Sequence, residues 1–212
     1  MPRDGAATRQ RILDAAQREV YKNGFAATSV DRIQRAADIS RGTFFYHFPG
    51  KDDLARALLD RYAEADRSLT EEFIERAERL ASDPLQQALL FVAFHEEMLE
   101  TVNAEEAGCL FASYSYEAGL FDQASHAVII DAVAHFRDRF GAKLAEAMKL
   151  HPPRLSDIDP YELADMFYGT MQGAFILART LGRGEIVAEH TRRFRQLLEL
   201  IFDDAAGPVR DA

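Results

Sequence analysis

Apolar residues return every three or four positions along almost the whole chain, and proline and glycine fall at the joints between these stretches. That rhythm belongs to α-helices; strands, whose side chains alternate every second residue, are hard to find. The pattern predicts an all-α protein of about nine helices. The first runs from about Thr8 to Asn23, with Ile12, Ala16 and Val20 on one stripe and Gly24 where a left-handed cap is wanted. The second starts at Thr28, whose hydroxyl caps it while Asp31 reaches back, and ends near Ala37. After the link Asp38-Ile39, Ser40 caps a very short third helix, which Pro49-Gly50 closes.

Longer helices follow. A fourth runs from Lys51 to about Ala81, and a fifth opens at Asp83-Pro84 with Leu85, Leu89, Val92, Glu96 and Leu99 on one face. A sixth covers about Glu106 to Ala118, a seventh Ala124 to Leu150, an eighth Pro160 to Leu181 and a ninth Glu185 to Asp203. No repeat or low-complexity segment interrupts them, and only the two termini read as disordered.

At 212 residues the chain buries a core without needing disulfides or metals. Its single cysteine, Cys109, has no internal partner, and the opening MPRDGAATRQR lacks the apolar run of a secretory signal, so a reducing cytoplasm is the expected setting. The longest strongly apolar uncharged stretch, Met166 to Ala178, falls short of the roughly 18 to 20 residues that span a bilayer, and reads as a buried helix. No membrane partner is expected. Charge is unevenly placed. Residues 1–51 hold nine Lys and Arg against five Asp and Glu, a balance of +4, so the other 161 residues carry −14 of the net −10. Only this basic head suits a polyanion.

Within the head, two helices of about eight residues joined by a tight link, with Val30, Ile33, Ile39, Phe44 and Phe48 facing inward, form a helix-turn-helix pattern. The turn usually takes glycine; Asp38 stands there instead, and Asp tolerates the left-handed region better than most residues. The segment SRGTFFYHFPGKDDL, with the preceding TRQRILDAAQREVYKNGFAATSVDRIQRAADIS, resembles the TetR family of transcriptional repressors over about the first 55 residues. The remainder is similar in helix count and layout alone. The resemblance implies a DNA-binding domain at 1–50 and an effector-binding and dimerisation domain at 51–212.

Helix starts at Thr28-Ser29 and Ser40-Arg41 offer unpaired N–H groups to phosphate oxygens. Arg41 suits a guanine edge or a phosphate, Gly42 leaves room for the groove wall, and Thr43 carries both a hydroxyl and a methyl. Tyr46 reaches a base or the backbone, while His47 and Lys51 lie where the family makes phosphate contacts. Many family members carry tyrosine at the position of Phe45, so a hydroxyl donor is missing and an apolar touch on a thymine methyl remains. Arg32 and Arg35 read as a solvated face.

For the rest of the chain the resemblance implies a homodimer through helices eight and nine. The eighth helix is apolar nearly all round, which calls for cover on two sides, and Gly169, Gly173 and Ala174 allow close helix approach. Two recognition helices would then lie roughly 34 to 36 Å apart and read a palindromic double-stranded operator. Phe91, His95 and Met98, then Cys109, Ser113, Tyr116 and Glu117, then Phe167, Met171 and Phe175 supply aromatic walls with a few polar points, the composition of a pocket for an apolar or aromatic small molecule. Each is equally at home in a plain core. Glu117 and His95 are the candidates for orienting a ligand.

Rival functions have less support. None of the six histidines follows a Glu by three residues, and no His-Glu-x-x-His, Gly-x-Ser-x-Gly or P-loop is present, so neither an enzyme, a metal nor a cofactor is expected. A helical small-molecule carrier leaves the basic head unexplained. A thiol-based electrophile sensor acting through Cys109 is the other alternative, set against the common fate of free cysteines as small buried hydrophobes.

Overall fold

The structure, a computed structural model, describes residues 3–202 apart from 106, 118, 120 and 156. Among the described residues there are nine helices and no strand: α1 (Arg3–Asn23), α2 (Val30–Ala37), α3 (Arg41–His47), α4 (Lys51–Leu80), α5 (Pro84–Leu99), α6 (Leu110–Tyr116), α7 (Gln123–Leu150), α8 (Pro160–Leu181) and α9 (Ile186–Ile201). The all-α expectation holds, and α4, α5, α7 and α8 match their expected bounds to within a residue. Helix α1 begins five residues early, because Ala6 and Ala7 favour helix and the one weak residue, Gly5, costs only about 1 kcal/mol. Helix α6 is shorter than expected. The outer ends expected for it, Glu106 and Ala118, lie outside the described residues, as do Asp203 and the extreme termini.

The helices pack into two compact units, residues 1–65 with 108–131 and residues 66–107 with 132–212. In the first, α1 packs on α2 and α6, and α2 on α3. Ile12, Ala16 and Val20 are buried as a stripe with Ile33, Phe44, Phe48, Leu58 and Tyr114. Val30 and Ile39 are only half-buried.

Phenylalanine builds the second core: Phe73, Phe91, Phe136, Phe140, Phe167 and Phe194 interlock, with α9 packed on both α5 and α8. Helix α8 buries a single stripe, Ala164, Phe167, Met171, Ala174 and Ala178. Met166, Ile176, Leu177 and Leu181 stay exposed, so the expected buried helix covers only one of its faces. Leu197 and Leu200 of α9 are exposed as well. Two glycines are required by close approach. A Cβ at Gly141, inside α7, would run into the ring of Tyr161; one at Gly184 would run into the carbonyl oxygen of Val102. No described helix is long and apolar enough to cross a membrane.

Candidate nucleic-acid interface

The turn between α2 and α3 is built by local chemistry. Asp38 sits at φ 51°, ψ 59°, the left-handed region, and is the one non-glycine residue there among those described. Its N–H reaches the Arg35 carbonyl at 3.3 Å and that of Ile39 reaches Gln34 at 3.1 Å, which closes α2 without a glycine. Ser40 then caps α3, accepting from Thr43 N–H at 3.1 Å. At the start of α2 the cap is Ser29, which accepts from Arg32 N–H at 3.2 Å, and not Thr28. Thr28 is fully buried and donates its hydroxyl to the Gly24 carbonyl at 2.7 Å, so the expected capping box with Asp31 does not form. In this position the Thr28 hydroxyl is out of a phosphate's reach.

What α3 leaves outside is chemically distinct from what it buries. Phe44 and Phe48 are buried, as their shared stripe with Ile33 requires. Tyr46 is 82% exposed and carries the His47 ring edge-on at 5.0 Å. Phe45 is 42% exposed, and its ring stands edge-on to Phe44 at 5.3 Å. Arg41 is exposed, with its guanidinium 5.4 Å from the Phe45 ring centre and Nη1 3.8 Å from an Asp31 carboxylate oxygen. Thr43 shares its hydroxyl with Ser40 at 2.8 Å. A Cβ at Gly42 would meet nothing closer than Ser40 Oγ at 3.9 Å, so packing does not demand glycine there. Ser29 is exposed beside this face.

Lys51, expected among the phosphate contacts, is engaged within the head. Its Nζ donates to the Phe25 carbonyl at 2.6 Å and lies 4.4 Å from the Phe25 ring centre, and burial pulls its pKa below the usual lysine value. The ammonium is spent on the α1–α2 loop. That loop is also held by Glu117, at the end of α6, which accepts from Phe25 N–H at 2.8 Å and Ala26 N–H at 2.6 Å. Glu117 was expected to orient a ligand; its carboxylate is already occupied by backbone. No sequence signal marked this contact, since the partners are amides 92 and 91 positions away.

The other expected effector residues divide between the two units. In the first, Cys109 is buried, Ser113 donates to the Cys109 carbonyl at 3.2 Å and Tyr116 is 78% exposed. A buried thiol does not favour the electrophile-sensor alternative. In the second, Phe91, His95, Phe167 and Met171 are packed core, Phe175 is half-buried and Met98 is 39% exposed. The Phe91 ring stacks on Phe140 at 4.7 Å and sits 4.6 Å from His95, so these rings fill one another's space. His95 Nδ1 lies 2.9 Å from the Phe91 carbonyl, which fixes it as the donor, and burial lowers its pKa to about 4. The imidazole is neutral, with Nε2 as a hydrogen-bond acceptor. A cleft of about 300 Å³ in the first unit is lined by Asp52, Asp53, Arg56, Phe121 and Asp122, and by none of the expected effector residues. No group of acids, histidines and cysteines suited to a metal occurs among the described residues.

A capped, seven-residue α3 that buries two phenylalanines and exposes Arg41, Phe45 and Tyr46 beside α2 defines a helix-turn-helix DNA-binding protein. Residues 12–58 match the profile of bacterial regulatory proteins of the tetR family, and residues 84–197 match that of the tetracyclin repressor-like C-terminal domain. The chain belongs to the TetR family of transcriptional regulators, which are not enzymes. It is 27% identical over 192 residues to the transcriptional regulator AcuR of Cereibacter sphaeroides, covering 90% of this chain and 85% of that protein. Over 97 residues it is 36% identical to the HTH-type regulator TtgR of Pseudomonas putida, an alignment covering 44% of each. A TetR-family regulator from Agrobacterium tumefaciens shares the fold, with a TM-score of 0.75 at 23% identity over 94% of this chain and all of that one.

Proposed function

We propose that this regulator is a homodimeric cytoplasmic repressor that binds a palindromic operator through α3 and the start of α2, and is released by a small apolar or aromatic effector. The observation that carries the reading is the outward row Arg41, Phe45 and Tyr46, with Gly42 open beside it. No packing need accounts for these side chains standing in water. Ser29, Thr43 and His47 complete the contact face, and residues 1–50 act as the DNA-binding part of the chain.

The exposed apolar residues of α8 and α9 support self-association, because Met166, Ile176, Leu177, Leu181, Leu197 and Leu200 are too many large side chains to leave in water without purpose. Residues 51–212 then hold the dimer face and the effector site. An effector would enter the aromatic cluster around His95 only by parting rings that now fill one another's space, and the neutral Nε2 then offers it an acceptor inside an apolar wall. Release requires the effector to favour a state that fits DNA less well.

The test is operator binding by fluorescence anisotropy, after selection of bound sequences from random DNA, alongside light scattering for mass. Arg41→Ala and Tyr46→Ala are expected to weaken binding at least tenfold while the dimer mass stays unchanged, and Ile176→Glu to yield monomers. Selection of no palindrome, or dimers surviving Ile176→Glu, sinks the corresponding half of the reading.

A further inference from the structure

Arg41 stands out on the recognition face because its guanidinium has both a ring and a carboxylate as neighbours. The Phe45 ring, one helical turn along α3, has its centre 5.4 Å from the guanidinium carbon, and the Asp31 carboxylate of α2 lies 3.8 Å from Nη1. Phe45 is itself fixed, edge-on to the fully buried Phe44 at 5.3 Å. Asp31 lies in the first turn of α2, whose backbone is set by the Ser29 cap. Neither contact with Arg41 is strong, since exposed ion pairs and exposed cation–π contacts each contribute little. Their effect is directional: a long, rotamer-rich side chain is held at one place before DNA arrives.

The sign of the flanking charge decides what such an arginine is for. A side chain meant to grip phosphate gains nothing from a carboxylate next to it, because that carboxylate repels the phosphate it would bind. A base edge carries no net charge, and guanine offers O6 and N7 as a pair of acceptors that match the guanidinium fork. The ring beside the guanidinium is apolar, and the one apolar feature of the major-groove floor is the thymine methyl.

We propose that Asp31 and Phe45 are positioning residues that hold Arg41 on a guanine, and that Phe45 adds a preference for thymine on a neighbouring base pair. Phe45 thus acts without the hydroxyl that tyrosine would bring. The inference rests on reading this face as the operator-binding surface, and its test separates the two.

Bound sequences are selected from random DNA with the wild type, Arg41→Lys, Phe45→Leu, Phe45→Tyr, Asp31→Asn and Asp31→Glu, and affinities for the winning site and a guanine-substituted site are measured across a salt series. All three substituted positions are exposed, and thermal melts confirm that each variant is folded. The wild type is expected to enrich one guanine per half-site with a thymine nearby. Arg41→Lys is expected to reduce the guanine preference about tenfold or more. Phe45→Leu and Asp31→Asn should each reduce it about threefold to tenfold, Asp31→Asn with equal or tighter binding to unrelated DNA. Phe45→Tyr and Asp31→Glu, which keep the ring and the charge, should retain it. The proposal is overturned if Phe45→Leu and Asp31→Asn leave the guanine preference intact. It is overturned equally if Arg41→Lys weakens all sequences alike and lowers the salt slope by about one, the signature of a phosphate contact. Enrichment of no sequence at all by the wild type would overturn the operator reading itself.

Discussion

Glu117 holds Phe25 by its backbone: one carboxylate oxygen accepts from the Phe25 N–H at 2.8 Å while the other takes the Ala26 N–H at 2.6 Å. Two adjacent amides aimed at one anion make a small backbone nest, and Gly24 makes it possible. Gly24 has φ +79°, and a Cβ there would lie 2.8 Å from Glu117 Oε1. The loop leading into the helix-turn-helix is therefore tied to the end of α6 by a carboxylate that accepts from two of its backbone N–H groups. Hydrogen bonds to charged groups contribute about 1.5 to 3 kcal/mol, less where one is exposed as here. Glu117→Ala is expected to cost about 1 to 3 kcal/mol in urea unfolding and to speed hydrogen exchange at the Phe25 and Ala26 amides. Gly24→Ala should cost about 1 to 2 kcal/mol through its backbone conformation, and less in a Glu117→Ala background. Equal costs in both backgrounds would show that the carboxylate and the glycine do not share a site.

At Gly42, stability and function should move in opposite directions. The position is helical and open, so alanine is expected to raise unfolding free energy by about 0.5 to 1 kcal/mol. If the proposed face reads DNA, the added methyl meets the groove wall, and operator affinity is expected to fall at least fivefold. Paired thermal melts and anisotropy titrations check this; a Gly42→Ala protein that binds as well as the wild type would remove Gly42 from the interface.

Acid should weaken the fold through His95. Its folded pKa of about 4 lies below the 6.5 of a free imidazole, so between these values the unfolded chain takes up a proton that the folded chain refuses. The stabilisation is present above pH 6.5 and is lost as pH falls toward 4. At about 1.4 kcal/mol per pKa unit the loss approaches about 3 kcal/mol. His95→Phe should flatten the difference in unfolding free energy between pH 7 and pH 4.5, and the His95 ring resonance in the wild type should titrate near pH 4.

Asp66 acts in the opposite sense. Burial raises its pKa from 3.8 to about 6, and its Oδ2 has no hydrogen-bond partner. Here the unfolded chain loses its proton first, so this group favours folding below pH 4 and weakens it as pH rises through 6. Asp66→Asn is expected to add about 1 to 2 kcal/mol at pH 7.5, discounted for the part of the group left in water. The gain should vanish at pH 3.5 in guanidinium unfolding curves.

The helix pattern was legible because periodicity reports which face is buried, and the turn was legible because Asp38 and Ser40 act on their own neighbours. Phe44 and Phe48 could be assigned to the core from their spacing with Ile33. Helix starts were harder: Thr28 and Ser29 are both capping residues, and a 2.7 Å bond from Thr28 to the Gly24 carbonyl decides between them. The contacts of Lys51 and Glu117 were not legible, for one reason. Each bonds backbone atoms of the Phe25-Ala26 loop, and backbone partners leave no mark in a sequence. The aromatic residues around His95 illustrate a different limit, since composition alone does not separate a wall from a filled core. Gly141 stands inside a helix because the Tyr161 ring leaves no room for a Cβ, a contact that no local pattern marks.

Gly184 has one more consequence. A Cβ there would run into the Val102 carbonyl oxygen and lie 3.1 Å from the Ala104 nitrogen, so the α8–α9 joint and the α5–α6 joint meet too closely for a side chain. A residue inserted in either joint would part them, and only a compensating change in the other would restore the fit. Among descendants of this chain, the lengths of the two loops are thus expected to be inherited as a single character, with drift in one tracked by drift in the other.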